Sequence, residues 1–198
     1  MILSDKRYNE LRNMNNLYKE TEKFVNQATG GNRHLERTVF WLKQLNPEAD
    51  EALLIAALSH DIERAFRDDN YNKISQSEKG YQSEDHLLHH QEKGAEIMTK
   101  FLEEKGGSGE LIKKVAHLIS KHEVGGDDDQ NLIKDADSLS FLENNIDIFL
   151  IKQVEKMGKE KVRDKFNWMF NRISSDQAKV LAQPMYDEAI KKLNLLKN

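Results

Sequence analysis

Two adjacent residues, His60 and Asp61, end one of the most apolar stretches of the sequence, "ALLIAALSHD". As a helix this stretch is apolar on nearly every side, which is typical of a buried helix, so both polar side chains are expected to face protein. Imidazole and carboxylate groups bind metal ions and transfer protons. A buried helix that ends in this pair therefore indicates a site where an ion compensates the charge.

Four further side chains of metal-ligand type are predicted to face inward, because each shares a helix face with apolar residues three, four and seven positions away. They are His34, His90, His122 and Asp137. The neighbouring His89 and His117 share their faces with charged residues and are predicted to face solvent. A single inward histidine is more often a hydrogen-bonded core residue than a ligand. Six inward residues exceed what one tetrahedral site uses, so the set predicts a metal centre with room for two ions.

Composition limits the chemistry and the partners of this centre. The 198 residues include no cysteine, which excludes thiolate catalysis and thiolate metal sites and leaves histidine and carboxylate as ligands. Such ligands suit Fe, Mn, Zn, Co, Ni or Mg without distinguishing among them. The net charge of −4 gives no general attraction for a nucleic acid polymer. Because we find neither a leader-like segment nor an apolar membrane span, we expect a cytoplasmic protein.

The spacing of apolar residues predicts an all-α protein. The chain has only two prolines, and few segments alternate as strands would. We predict one domain over residues 1–198, with eight or nine helices and a polar loop from Arg67 to Glu84. The predicted helices cover about residues 5–28, 32–45, 48–61, 85–105, 109–122, 130–145, 146–158, 159–173 and 176–196.

The candidate ligands and their order resemble the HD superfamily of metal-dependent phosphohydrolases. That family has a histidine, then an adjacent His-Asp pair, then a distant aspartate, and here these are His34, His60 with Asp61, and Asp137. "SHDIER" is similar to the family's "HDIGK" segment. "HQEKGAEI" and "KHEVGGD" are similar to the segments that carry two extra histidines in the branches with binuclear sites. The resemblance places an HD core at about residues 30–145 and a helical C-terminal extension at 146–198.

The resemblance implies a metal-dependent phosphohydrolase, a phosphomonoesterase or phosphodiesterase that uses a metal-activated water. Its expected substrate is a nucleotide or another small phosphorylated metabolite. One or two divalent ions would be bound by His34, His60, Asp61, His90, His122 and Asp137, with Asp61 as the bridge. Asp61, Glu63 and Arg64 are the predicted catalytic residues, and for Arg64 both a contact to phosphate and a salt bridge to a nearby carboxylate stay open.

Two other functions stay open at this stage. Some HD-type relatives use the same extra histidines to hold a mixed-valent di-iron centre for oxygenation, and others are non-catalytic helical regulatory modules. Away from the predicted ligands, we expect Lys93, Lys121 and Lys134 to be solvated. We interpret the segment 161–175 first as part of the core and only secondly as a lid over a substrate base. The "DDD" at 127–129 is interpreted as the start of a helix, where acidic residues favour the helix dipole.

Overall fold

A computed structural model of the chain describes residues 5–67 and 84–196, with side chains for residues 17–67 and 85–196. Every regular element in these ranges is helical, which confirms the predicted all-α class. None of the helices in the described part of the chain is both long enough and apolar enough to cross a membrane. Most of the predicted loop from Arg67 to Glu84 lies outside the described residues.

The helices follow the predicted order closely. The α-helices are α1 (Asp5–Thr29), α2 (Arg33–Leu45), α3 (Glu51–Ser59), α4 (Glu84–Glu104), α5 (Gly109–Ile119), α6 (Asp128–Asn144), α7 (Ile146–Ile148), α8 (Val154–Met157), α9 (Lys159–Asn171) and α10 (Asp176–Leu195). A 3-10 helix (Ile62–Phe66) follows α3, and a π-helix (Phe149–Gln153) joins α7 to α8. The largest difference is at 48–61, where the α-helix starts at Glu51 and ends at Ser59, before the His-Asp pair.

The chain divides into two compact units. The first consists of Met1–Asn32 and Ala49–Glu123, and the second of Arg33–Glu48 and Val124–Asn198. Each unit is therefore built from two separate stretches of sequence. The expectation of one domain over residues 1–198 stays a prediction.

The first unit packs α3 against α1 and α5, and α5 against α4. Helix α3 is buried along almost its whole length, as its apolar sequence predicts. Its start is fixed by Asp50, whose carboxylate accepts a hydrogen bond of 2.9 Å from the Leu53 backbone N–H. Fully buried residues from the other elements complete this core, among them Ile62, Met98, Leu102, Leu118 and Ile119.

The second unit packs α6 against α2, α9 and α10. The core of this unit contains Leu139, Phe141 and Phe166. The ring centroids of Phe141 and Phe166 lie 6.3 Å apart. Val162, Phe166 and Met169 of α9 are buried, so the first interpretation of segment 161–175, as core, is confirmed. Helix α6 thus has one side in the core while its start lies at the surface.

The hydrogen bonds that cap the start of α6 are expected to contribute measurably to the stability of the protein. Asp127 forms a capping box: its side chain accepts a 2.9 Å hydrogen bond from the Gln130 N–H, and the Gln130 side chain accepts one of 3.1 Å from the Asp127 N–H. We expect Asp127→Ala to lower the free energy of unfolding by about 1 kcal/mol, measured by denaturant titration. Asp128→Ala is the control, since Asp128 acts only through the weaker helix dipole. Equal losses in both variants would contradict the cap.

Candidate metal centre

The His-Asp pair lies in the turn that joins α3 to the 3-10 helix. His60 is fully buried, and its Nδ1 lies 2.9 Å from the backbone oxygen of Ala57. A carbonyl oxygen only accepts hydrogen bonds, so Nδ1 carries a proton and Nε2 is the ring nitrogen left to bind a metal ion. This Nε2 lies 3.9 Å from the Oδ2 of Asp61. The turn therefore presents a ring nitrogen and a carboxylate side by side.

His122 follows the end of α5 and is held in the same tautomer. Its Nδ1 lies 2.8 Å from the Ile119 backbone oxygen, and the ring is fully buried. Its Nε2 is buried without a hydrogen-bond partner among the described residues, 3.9 Å from both Asp61 Oδ1 and Glu123 Oε1. Burial lowers the pKa of His122 to about 4, so the ring is neutral near pH 7. A lone pair that faces two carboxylates is the arrangement a cation stabilises.

His90 connects two carboxylates. Its Nδ1 lies 2.6 Å from Glu63 Oε2 and its Nε2 lies 3.0 Å from Asp61 Oδ1. Burial alone would lower the pKa of His90, but these hydrogen bonds to Asp61 and Glu63 outweigh it and raise the pKa. Glu63 is itself buried, and its Oε2 also forms a salt bridge with the Nε of Arg67 at 3.1 Å. The Glu63 carboxylate thereby fixes the orientation of the His90 ring, so that Nε2 faces Asp61.

Asp61 is the residue that these contacts share. Its carboxylate is only 7% exposed, and its Oδ1 lies 2.8 Å from the Nε of Arg64. Burial would raise the pKa of Asp61, but the charges of Arg64, His60 and His90 outweigh burial and hold the pKa well below its usual value. The group is therefore an anion near neutral pH, at the centre of a buried set of histidines.

The first unit thus contains a cluster suited to a metal ion. Asp61, His90, His122 and Glu123 each offer one ligand atom, all four atoms lie within 4.8 Å of one another, and all four residues are buried. Two imidazole nitrogens and two carboxylate oxygens suit a divalent transition metal. The buried Nε2 of His122, with its lone pair toward the carboxylates, is the observation that fits such an ion best.

Glu123 was not among the predicted ligands. A glutamate directly after a predicted ligand can orient that ligand or face water, and the structure buries Glu123 at 6% exposure. Its backbone N–H donates a 3.0 Å hydrogen bond to the side chain of Gln91, which is also buried. The signal available in the sequence was its adjacency to a predicted ligand, which could not by itself give the direction of the side chain.

The second unit holds the other two predicted ligands. His34 Nε2 lies 3.0 Å from Asp137 Oδ1, and both residues are buried. Ser140 Oγ donates to the His34 backbone oxygen at 2.6 Å and lies 2.9 Å from His34 Nδ1, so it accepts the Nδ1 proton. The Nε2 of His34 thus faces the Asp137 carboxylate at hydrogen-bond distance, as the Nε2 of His90 faces Asp61.

Asp137 also has a cationic partner that sequence reasoning did not identify. Arg172 donates to the Asp137 Oδ2 through its Nη2 and to the Ser138 Oγ through its Nε, the latter at 2.8 Å. Its guanidinium lies 4.5 Å from the Trp168 ring centroid. Nearby Asp135 instead accepts two backbone N–H groups, from Ser174 at 2.7 Å and Ser175 at 2.9 Å. Asp135 and Asp137 thus have separate roles.

The burial of His86 and Lys134 does not follow from the helix pattern, and the prediction that Lys134 is solvated is wrong. His86 is buried at 6% exposure one turn before His90, and burial and the charge of Arg67 lower its pKa to about 4. Lys134, expected to be solvated, is 7% exposed. In contrast, His89 and His117 are exposed and His90 and His122 are buried, as predicted. Tertiary neighbours, which the pattern of one helix does not contain, bury His86 and Lys134.

Of the six predicted ligands, His60, Asp61, His90 and His122 lie in the first unit and share contacts around Asp61. His34 and Asp137 lie in the second unit and contact each other. The use of all six as ligands to one metal centre stays a prediction. The same holds for the catalytic roles of Asp61, Glu63 and Arg64.

The fold and the cluster define a class: an all-α protein with a buried histidine and carboxylate cluster of metal-ligand type. The chain belongs to the family described as "Domain of unknown function (DUF4202)", whose model matches residues 8–193. No curated protein sequence matches it. The chain is similar to a solved structure from an uncultured Thermotogales bacterium that is described as a predicted HD superfamily hydrolase. The two sequences are 19% identical, the TM-score is 0.49, and the superposition covers 93% of this chain and 90% of the other.

The contact of Glu63 with His90 predicts an effect on metal binding. We expect Glu63→Ala to weaken the affinity for a divalent ion roughly 10- to 100-fold, because His90 loses the acceptor that orients its ring. Glu63→Gln keeps an acceptor oxygen, so it should lie between the wild type and the alanine variant. Calorimetric titration of chelator-treated protein with Zn²⁺ or Mn²⁺ measures the change.

The matched control is Glu96→Ala, which removes a half-exposed glutamate from the same helix that carries His90. Equal affinities of the Glu63→Ala and Glu96→Ala variants would show that the Glu63 contact does not serve the metal centre.

Proposed function

We propose that the protein is a divalent-metal-dependent hydrolase that acts on a phosphate ester of a small molecule. The observation that carries this proposal is the buried cluster of Asp61, His90, His122 and Glu123, with the lone pair of His122 Nε2 facing two carboxylates. A fold stabilised only by packing would gain nothing from burying such a set without an ion. The motifs that resemble the HD superfamily supply the reaction class.

A bound divalent ion would lower the pKa of a water molecule, so that hydroxide is available near neutral pH, and would stabilise the charge of the departing group. The four clustered residues would hold the ion. His34, His60 and Asp137 are added as ligands by the resemblance, and they belong to the proposal on that ground. No side chain of the protein has to serve as nucleophile, which agrees with the absence of cysteine.

Glu63 acts through His90 in this proposal. It holds the Nδ1 proton at 2.6 Å, so that Nε2 remains directed at Asp61. Its own charge is stabilised despite burial, because hydrogen bonding to His90 and the charge of Arg67 lower its pKa against the effect of desolvation. This contact supports an orienting role more directly than a proton-transfer role.

Arg64 is the proposed contact to the substrate phosphate. Its side chain is 50% exposed while its Nε lies 2.8 Å from Asp61, so it joins the buried cluster to solvent. A guanidinium can donate several parallel hydrogen bonds to phosphate oxygens. The salt bridge to Asp61 that the sequence left open is present, and in this proposal Arg64 keeps it while it contacts the substrate.

The first experiment is metal analysis of protein purified without chelator, followed by a panel of phosphomonoesters and phosphodiesters with each ion. We expect about one or two bound ions and hydrolysis of at least one small phosphate ester. A protein that contains neither ion nor activity would exclude the proposal. A mixed-valent iron signal in electron paramagnetic resonance, without hydrolysis, would favour the oxygenase alternative.

Substitution of the shared carboxylate tests the centre directly. We expect Asp61→Asn to lose most of the bound metal and at least 100-fold in kcat/KM, since it removes the charge common to all the contacts. Asp85→Asn, which changes an exposed aspartate on α4, is the control and should bind metal like the wild type. Retention of full metal content by the Asp61→Asn variant would end the assignment.

Arg64→Ala tests the contact to substrate. Because a bound ion would compensate the charge of Asp61 in place of Arg64, we expect the metal-loaded variant to keep its metal content and a melting temperature close to that of the wild type. The value of kcat/KM should fall roughly 10- to 100-fold, worth about 1.4 to 2.7 kcal/mol of transition-state binding. The control is Arg163→Ala on α9. A loss of stability that matches the loss of activity would indicate a purely structural salt bridge.

A further inference from the structure

Lys134 of the second unit is a buried cation with few partners. The residue is 7% exposed, and its Nζ donates one hydrogen bond, to Asn131 Oδ1 at 3.0 Å. No carboxylate of the described residues lies within ion-pair distance of this Nζ. An ammonium group has three N–H donors and is costly to bury without an anion. The fold therefore maintains a cation whose compensation is incomplete.

The loop before α6 is shaped around this ammonium group. Gly125 has a φ of +76°, and a Cβ at this position would lie 2.7 Å from Lys134 Nζ and 2.2 Å from Asn131 Oδ1. Only glycine lets these two side chains approach the backbone so closely and adopts this conformation without strain. The Asn131 side chain also donates to the Gly126 backbone oxygen at 3.1 Å, which holds the loop over the lysine.

Lys134 also lies close to a predicted metal ligand. It precedes Asp137 by three residues on α6, and residues at this spacing are neighbours on one helix face, with Cβ atoms about 5 to 6 Å apart. Burial lowers the pKa of Lys134, and the positive charge of Arg172 adds to this effect while Asp135 opposes it. The two nearby carboxylates are engaged by other donors, Asp135 by the Ser174 and Ser175 N–H groups and Asp137 by Arg172, and neither forms an ion pair with Lys134.

We propose that Lys134 binds an oxyanion group, the phosphoryl group of the substrate, beside Asp137. This inference rests on the proposed function for the identity of the substrate, but the anion site itself can be tested without catalysis. The Nζ would donate to a phosphoryl oxygen with the hydrogens that Asn131 does not accept. Gly125 lets the backbone of the loop lie against the ammonium group with no side chain between them.

The test measures binding of inorganic phosphate by calorimetry, to protein as purified and again after removal of metal by chelator. The variants are Lys134→Met, which keeps the length of the side chain and removes its charge, and Lys134→Arg, which keeps the charge. Lys161→Met, at an exposed lysine on α9, is the control. We expect Lys134→Met to weaken phosphate binding roughly 10- to 100-fold in at least one state. Lys134→Arg and the control should retain most of the affinity.

Stability separates this role from a structural one. Replacing an incompletely compensated buried cation with methionine should leave the melting temperature equal or raise it, and leave the metal content unchanged. Phosphate binding by Lys134→Met equal to that of the wild type, or no phosphate binding by the wild type in either state, would overturn the proposal. Because these measurements need no turnover, they distinguish failure of the anion site from failure of the proposed hydrolase activity.

Discussion

The first unit depends on the compensation of one buried carboxylate, that of Asp61. A carboxylate at 7% exposure is unfavourable unless positive charge and hydrogen-bond donors surround it, and here Arg64, His60 and His90 supply them. The histidines in turn need fixed tautomers, which the backbone oxygens of Ala57 and Ile119 and the carboxylate of Glu63 provide. The end of α3, the 3-10 helix, α4 and the end of α5 are therefore all positioned around this one charge.

The second unit compensates its buried aspartates in two other ways. Asp137 is paired with Arg172 and His34, whereas Asp135 accepts two backbone N–H groups and so holds the chain that follows α9. Two residues apart on one helix, these aspartates point to different surroundings. Lys134 is the opposite case, a buried cation with one neutral acceptor, Asn131. Groups that a fold leaves incompletely compensated are where a ligand can bind with most effect.

The same geometry explains why a cation fits the first unit. Neutral His122 directs a lone pair toward Asp61 and Glu123, and only a species that accepts electron pairs satisfies all three. His90 differs, because in the structure it carries protons toward both Asp61 and Glu63. Metal binding would displace the proton on its Nε2 and keep the one on Nδ1, so affinity for metal would rise with pH.

The sequence by itself determined the helical class, the positions of most helices, and which of His89, His90, His117 and His122 face inward. It did so because a period of 3.6 residues decides which side of a helix is buried, whatever lies opposite. Only the tertiary structure decided the contacts that come from distant segments, such as Glu63 with His90, which is 27 residues away, and Arg172 with Asp137, which is 35 residues away. It also decided the burial of His86, Glu123 and Lys134, because a charged side chain is buried by neighbours from other helices and loops, and the pattern of its own helix carries no record of them.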